Sequence, residues 1–245
     1  MAGSLSFWGE STDGGPVKAL AETRDFGHRH PCWVSRAKQR ARGSRGAAIL
    51  EAAFVTPVFF ILVLGLVEIG LAMNDNLALA STVRAGSRVV SASGNETKAD
   101  LYSLLRVAKE SSALDKANID RIVIYKPTGF GQDPSATCQA GTAVANVCNV
   151  YVLADLRAAR IQVTEETLAL AENRAPDPSK VKFGCGAMAP DRFWCPSARK
   201  VTQAGTGPDY VGVWMQIRHP WITKMFGTDR TLTDTSVIRL EPRQA

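Results

Sequence analysis

The usual catalytic sets are missing from this sequence. It contains 3 histidines, and two of them, His28 and His30, fall in a basic N-terminal segment. The third, His219, precedes Pro220-Trp221 at the end of an alternating apolar run and reads as a structural residue. No H-E-x-x-H, G-x-S-x-G or phosphate-loop pattern occurs. Metalloprotease, serine-hydrolase and P-loop nucleotide chemistry therefore have no motif here. Gly129-Phe130-Gly131 and Gly205-Thr206-Gly207 read as turns. No internal repeat is visible. The expectation is a protein without enzyme activity, cofactor, metal or small-molecule substrate.

Acids are also scarce where bases are dense. Residues 29–45 carry six cations (Arg29, Arg36, Lys38, Arg40, Arg42, Arg45) and no carboxylate. The formal net charge of +6 belongs mainly to this end of the chain. Beyond residue 46 the balance is 21 basic against 19 acidic residues, a net of +2. A basic surface for nucleic acid is therefore not expected.

Long hydrophobic runs are absent too, with one exception. Ala47 to Met73 is almost wholly apolar, broken by Glu51, Thr56 and Glu68. It reaches the roughly 20 residues needed to cross a bilayer. A buried helix of a soluble protein is the competing reading, but the adjoining cationic cluster favours a membrane span. The far side, residues 74–83, has no cation and one acid, Asp75. The positive-inside rule then puts residues 1–46 in the cytoplasm and the C-terminal part outside.

Glu51 sits near the cytoplasmic end of that span, where an unpaired carboxylate costs about 2–3 kcal/mol. A cut after Gly46 would supply its partner. Ala47 would then carry a positive α-amino group, four residues away and about 6 Å along the same helix face. Glu51 could pair with its own amine or with that of a neighbouring subunit. Gly46 suits a cut site because it has no side chain to obstruct close approach.

The sequence Arg45-Gly46-Ala47-Ala48-Ile49-Leu50-Glu51-Ala52-Ala53-Phe54-Val55-Thr56-Pro57 resembles the processing site of type IV pilin precursors. Together with Gly65-Leu66-Val67-Glu68-Ile69-Gly70 and Arg84-Ala85-Gly86-Ser87-Arg88 it looks like TadE, the pseudopilins of tight-adherence (Flp) pilus systems. The resemblance covers residues 45–90. It implies cleavage by a prepilin peptidase between Gly46 and Ala47, then assembly or priming of a pilus through the N-terminal helix. The partners it implies are the lipid bilayer, the peptidase, and other pilins and pseudopilins. Two departures stand. The leader of 46 residues is long, which fits a translation start downstream of Met1. Leu50 and Ala52 flank Glu51 without the aromatic neighbour common in major pilins, which favours a minor component.

Three other residues are assembly candidates. Glu68 lies about 25 Å beyond Glu51 along a helix. It is either hydrated at the outer interface or paired with a base of a neighbouring subunit. Arg84 and Arg88 share a helix face; they are either solvated or faced by an acid, and the resemblance favours an interaction role. Pro57 removes a backbone donor and is expected to kink the helix.

The remainder reads as an α+β domain: a long transmembrane helix, then a small exported domain with an antiparallel sheet and disulfide-closed loops. Residues 74–95 are expected as helix extension and linker, and 96–245 as the domain. Lys98 to Leu114 has a helical period at Leu101, Leu104, Leu105 and Ala108. Ile119 to Tyr125 is β-rich. Residues 126–149 read as loop, Tyr151 to Ala171 as mostly helix, and 173–209 as loop. Val211, Val213, Met215 and Ile217 should share one sheet face, and Thr231 to Leu240 a second strand.

Of 5 cysteines, Cys32 falls in the leader. Cys138, Cys148, Cys185 and Cys195 form an even set in an exported domain, which implies disulfides. Their spacing suggests Cys138–Cys148 and Cys185–Cys195, with the two other connectivities open. A zinc site wants closer pairs. Asn95-Glu96-Thr97 matches a glycosylation sequon, which a bacterial origin would make coincidental. Two rival functions remain: an uncut, membrane-anchored binding protein, and a secreted protein cut after Ala78-Leu79-Ala80. The apolar run is too long for an ordinary signal peptide.

Overall fold

The computed structural model describes residues 45–114 and 118–242. Most of the expected leader, including Cys32, lies outside the described residues. The chain divides into two units, Met1–Ile49 and Leu50–Ala245. The second unit contains every strand and most of the long N-terminal helix.

Helix α1 runs from Arg45 to Ser93, through Pro57 and through Asn74-Asp75-Asn76 without interruption. It stops at Gly94, whose φ of +58° is a conformation that glycine adopts freely. The Gly94 N–H caps the helix on the Val90 carbonyl at 3.1 Å. Helix α2 (Ala99–Glu110) buries Leu101, Leu104, Val107 and Ala108, the expected 3.6-residue stripe. A 3-10 turn, Ser111–Ala113, follows it.

Strands β1 (Ile119–Tyr125), β2 (Cys148–Tyr151), β3 (Tyr210–Pro220) and β4 (Asp229–Arg239) form one antiparallel sheet in the order β2-β1-β3-β4. Short helix α3 (Ala136–Gln139) precedes β2, and α4 (Leu153–Ala171) follows it. Helix α4 starts where Asp155 Oδ2 accepts the Val152 N–H at 2.8 Å. It ends at Ala171, and the chain turns at Asn173, whose φ is +52°, three residues before Pro176. Helix α3 falls in the expected loop, and β2 straddles the end of that loop and the expected start of the helix at Tyr151. Four residues are too few to show a period, and β2 is held by its pairing with β1 rather than by propensity.

Both sheet faces are covered. Ile122, Ile124, Val211, Val213, Met215 and Ile217 point into the main core, which Leu79, Val83 and Val90 of α1 and Leu101, Leu104 and Val107 of α2 complete. On the other face Val123, Tyr125 and Trp214 pack against Cys138 and Cys148. The second half of α1, expected as helix extension and linker, is thus a core element of the domain.

The disulfides join Cys138 to Cys148 and Cys185 to Cys195. Each closes a ring with a sequence separation of 10, worth up to about 3 kcal/mol in the chain-entropy picture. A buried polar knot fastens the second loop. Arg199 Nη2 lies 2.6 Å from Asp100 Oδ1, and both side chains are fully buried. Tyr151 and Asn149 donate to Asp100 Oδ2 at 2.6 and 2.9 Å. Burial first, and the neighbouring Asp100 second, push the Tyr151 hydroxyl well above its ordinary pKa. Arg199 also stacks over the Trp194 ring at 4.3 Å.

Candidate functional site

The candidate site is α1, which carries two surfaces of opposite character. From Gly46 to Val67 every side chain is exposed except at Gly65. That stretch includes Phe54, Phe59, Phe60, Ile61 and Leu62, each more than half exposed. Water does not tolerate so large an apolar surface without a partner. Among the described residues, α1 alone is long and apolar enough to cross a membrane.

The second surface begins inside the apolar stretch. Gly65, Glu68, Ala72, Asp75, Leu79, Val83, Gly86, Ser87 and Val90 form a buried or half-buried stripe along one side. Apart from the adjacent pair Gly86 and Ser87, their steps of three and four residues keep them on one face, and that face meets the domain. Two acids on it hold the β3–β4 hairpin. Asp75 Oδ2 lies 2.6 Å from His219 Nδ1. Glu68 accepts the backbone N–H of Thr223. The His219 ring stands edge-on to Trp221 at 5.0 Å, and Trp221 contacts the Phe226 ring at 5.4 Å.

The sequence-derived candidates are spread along the whole of α1. Gly46 is in the first turn, with open space where a Cβ would stand. Ala47 and Glu51 are exposed. Glu68 is 2 % exposed, so the expectation of a hydrated carboxylate at this position does not hold. The hairpin covers it. Arg84 and Arg88 are exposed and make no ion pair among the described residues. The buried members of that motif are Gly86 and Ser87. A Cβ on Gly86 would meet Val107 at 2.7 Å, so glycine permits the close approach of α1 to α2. Ser87 Oγ lies 2.8 Å from Ser236 Oγ on β4.

These candidates are not gathered in one place. Glu51 and Arg84 are 33 residues apart in one helix, about 50 Å. One chain cannot join them, whereas neighbouring chains packed in staggered register can. Asp75 and His219 were not singled out from sequence as a pair. The available signal was that Glu68 and Asp75 stand seven residues apart, in step with Gly65, Ala72 and Leu79.

Helix α1 is exposed, and long and apolar enough to anchor the disulfide-closed α+β domain to a membrane. The helix carries a further likeness: the family model described as TadE-like protein matches residues 46–88. That segment starts at Gly46, ends at Arg88, and associates the chain with Tad pilus systems. No curated protein matches the chain, and no solved structure does. Among the described residues no group of histidine, cysteine and carboxylate side chains is arranged to hold a metal ion.

Proposed function

We propose that this chain is a minor pseudopilin of a tight-adherence (type IVc, Flp) pilus system. It is made as a precursor and cut by a prepilin peptidase between Gly46 and Ala47. Residues 47–73 lie in the inner membrane, with residues 1–46 cytoplasmic and residues 96–245 in the periplasm. The observation that carries this reading is the exposed apolar part of α1, bearing Glu51, inside the TadE-like match.

The chemistry is electrostatic. In hydrocarbon an unpaired carboxylate is unstable by about 2–3 kcal/mol. The cut creates a cation at Ala47, and pairing it with Glu51 of a neighbouring subunit draws two helices together. The rest of the exposed apolar surface then packs against other pilins and pseudopilins, in the fibre or in the complex that starts it. Surface adhesion or secretion is the expected outcome. The two disulfides support a periplasmic domain, because such bonds persist in oxidising compartments. Arg84 and Arg88, exposed on the membrane-proximal helix, are available to an acid of the next subunit.

One rival is disfavoured by packing. A signal-peptide cut after Ala80 would remove Leu79 from the core, together with Asp75 and Glu68, which hold the hairpin. The other rival, an uncut anchored binding protein, has one observation in its favour. A cleft of about 650 Å³ lies between Tyr125, Lys126, Gln132, Asp133, Asp209 and Tyr210, within the size range of small-ligand sites.

The test is Glu51→Ala, expressed in place of the native chain. Processing should remain largely intact, while pili are lost because the new amine has no partner. Normal piliation in that variant sinks the assembly role.

A further inference from the structure

The β3–β4 hairpin tip extends the domain towards the membrane-facing end of α1, and its chemistry is unusual for a loop. Residues 221–227 read Trp-Ile-Thr-Lys-Met-Phe-Gly. Ile222 is 72 % exposed, Phe226 52 % and Met225 44 %. The one charge in the loop is a cation, Lys224, and Asp229 and Arg230 follow at the start of β4. A soluble loop tip has no use for three large apolar groups turned to water.

The level of the tip along α1 decides what covers it. Thr223 donates to Glu68. A Cβ on Gly65 would lie 3.9 Å from the Phe226 ring. Ile69 lines a hollow with Trp221, Phe226 and Arg230. Gly65 precedes Met73, the end of the apolar run, by eight residues, about 12 Å of helix. Hydrocarbon about 30 Å thick, starting at Glu51, ends near residue 71. The tip therefore stands at the depth where interfacial elements bury their apolar faces. The exposed neighbours of the tip on α1, Leu66, Val67 and Ile69, continue its apolar surface.

We propose that the 221–227 tip is a second membrane contact, inserted in the outer boundary of the bilayer beside α1. Ile222, Met225 and Phe226 enter the acyl region. Trp221 sits at headgroup level, as indoles do. Lys224 and Arg230 reach anionic headgroups, extending their aliphatic stems as they do so. The Glu68–Thr223 and Asp75–His219 contacts fix the tip to the helix, so the domain is held against the membrane in one orientation rather than swinging on a tether. The proposal rests on the reading of residues 47–73 as a membrane span.

The experiment is spin-label accessibility on the full chain carrying Cys32→Ser, reconstituted in vesicles of phosphatidylethanolamine and phosphatidylglycerol. Labels are placed singly by Phe226→Cys, Ile222→Cys, Phe60→Cys on the span and Leu170→Cys on α4, which is 82 % exposed. The expected result is that the 226, 222 and 60 labels collide with oxygen and lose access to a water-soluble nickel chelate. The 170 label should do the reverse. Nickel access at 222 and 226 with the 60 label in lipid overturns the tip contact and leaves the span standing. Protection of 222 and 226 from both reagents means that protein covers the tip, and overturns the lipid contact as well. Nickel access at 60 overturns the span and, with it, the tip contact.

Discussion

Asp75 and His219 lie 2.6 Å apart although 144 positions separate them in sequence. Together with the Glu68–Thr223 contact, seven residues earlier on α1, they join the hairpin to the helix that carries the TadE-like segment. The first part of α1 is thus coupled to the sheet through two carboxylates, and forces on the helix reach the domain through them.

The pair should matter to stability. A hydrogen bond involving a charged group contributes about 1.5–3 kcal/mol. Asp75→Ala is expected to destabilise the domain by an amount in that range, and His219→Ala by a similar amount. The double variant should cost clearly less than the two singles combined, because they remove one interaction. Chemical denaturation of the detergent-solubilised full chain measures all three. Additive costs would mean that the two residues act separately.

Gly212 on β3 lies opposite Tyr125 on β1. A Cβ at Gly212 would stand 2.3 Å from the Tyr125 ring. The ring cannot retreat, because its hydroxyl donates to the Gln132 carbonyl and lies 3.0 Å from Thr235 Oγ1. Burial raises that hydroxyl to a pKa of about 12. Gly212→Ala is therefore expected to cost about 1–3 kcal/mol by overpacking. In a Tyr125→Ala background the same change should cost little. A thermal melt that shows the same loss in both backgrounds contradicts steric overpacking as the cause.

Glu165 on α4 organises the loop behind it. Its carboxylate accepts from Arg174 at 2.5 Å, from Lys180 at 2.8 Å and from the Asp177 amide at 3.1 Å. The Arg174 hydrogen bond, then that of Lys180, lowers its pKa from 4.5 to about 2. A depressed carboxylate stabilises the fold above its unfolded value and loses that contribution as pH falls through the folded one. The loop is accordingly expected to stay fastened at pH 5 and to loosen between about pH 4.5 and 2. Hydrogen exchange at the Asp177 amide reports the loosening. Glu165→Gln, which cannot titrate and loses both ion pairs, should lower the protection of that amide and remove its dependence on pH between about 4.5 and 2.

Much of the fold was legible from sequence, for identifiable reasons. The long apolar run and the alternation of Val211, Val213, Met215 and Ile217 are strong signals, and they became a helix and a strand. The joint order of the Gly46, Glu51 and Arg84–Arg88 features carried the TadE-like resemblance that the family match supports. The covering of Glu68 was not legible, because its partner is a backbone N–H 155 positions away. A main-chain donor leaves no mark on residue type. Strand β2 was missed because four residues carry no period. Within residues 74–95, expected as helix extension and linker, the Ala and Ser content dilutes the apolar stripe that packs on the domain. It is visible once Leu79, Val83, Gly86 and Val90 are aligned on one face.

The proposed function turns on a single peptide bond, between Gly46 and Ala47, and the N-terminus of the mature chain tests it directly. The protein is purified from membranes with the peptidase present, and its N-terminus is read by intact mass and sequencing. Ala47 is expected as the first residue, with Cys32 gone and the four remaining cysteines paired. A chain that still begins at Met1, or one that begins at Ser81, contradicts prepilin-type processing.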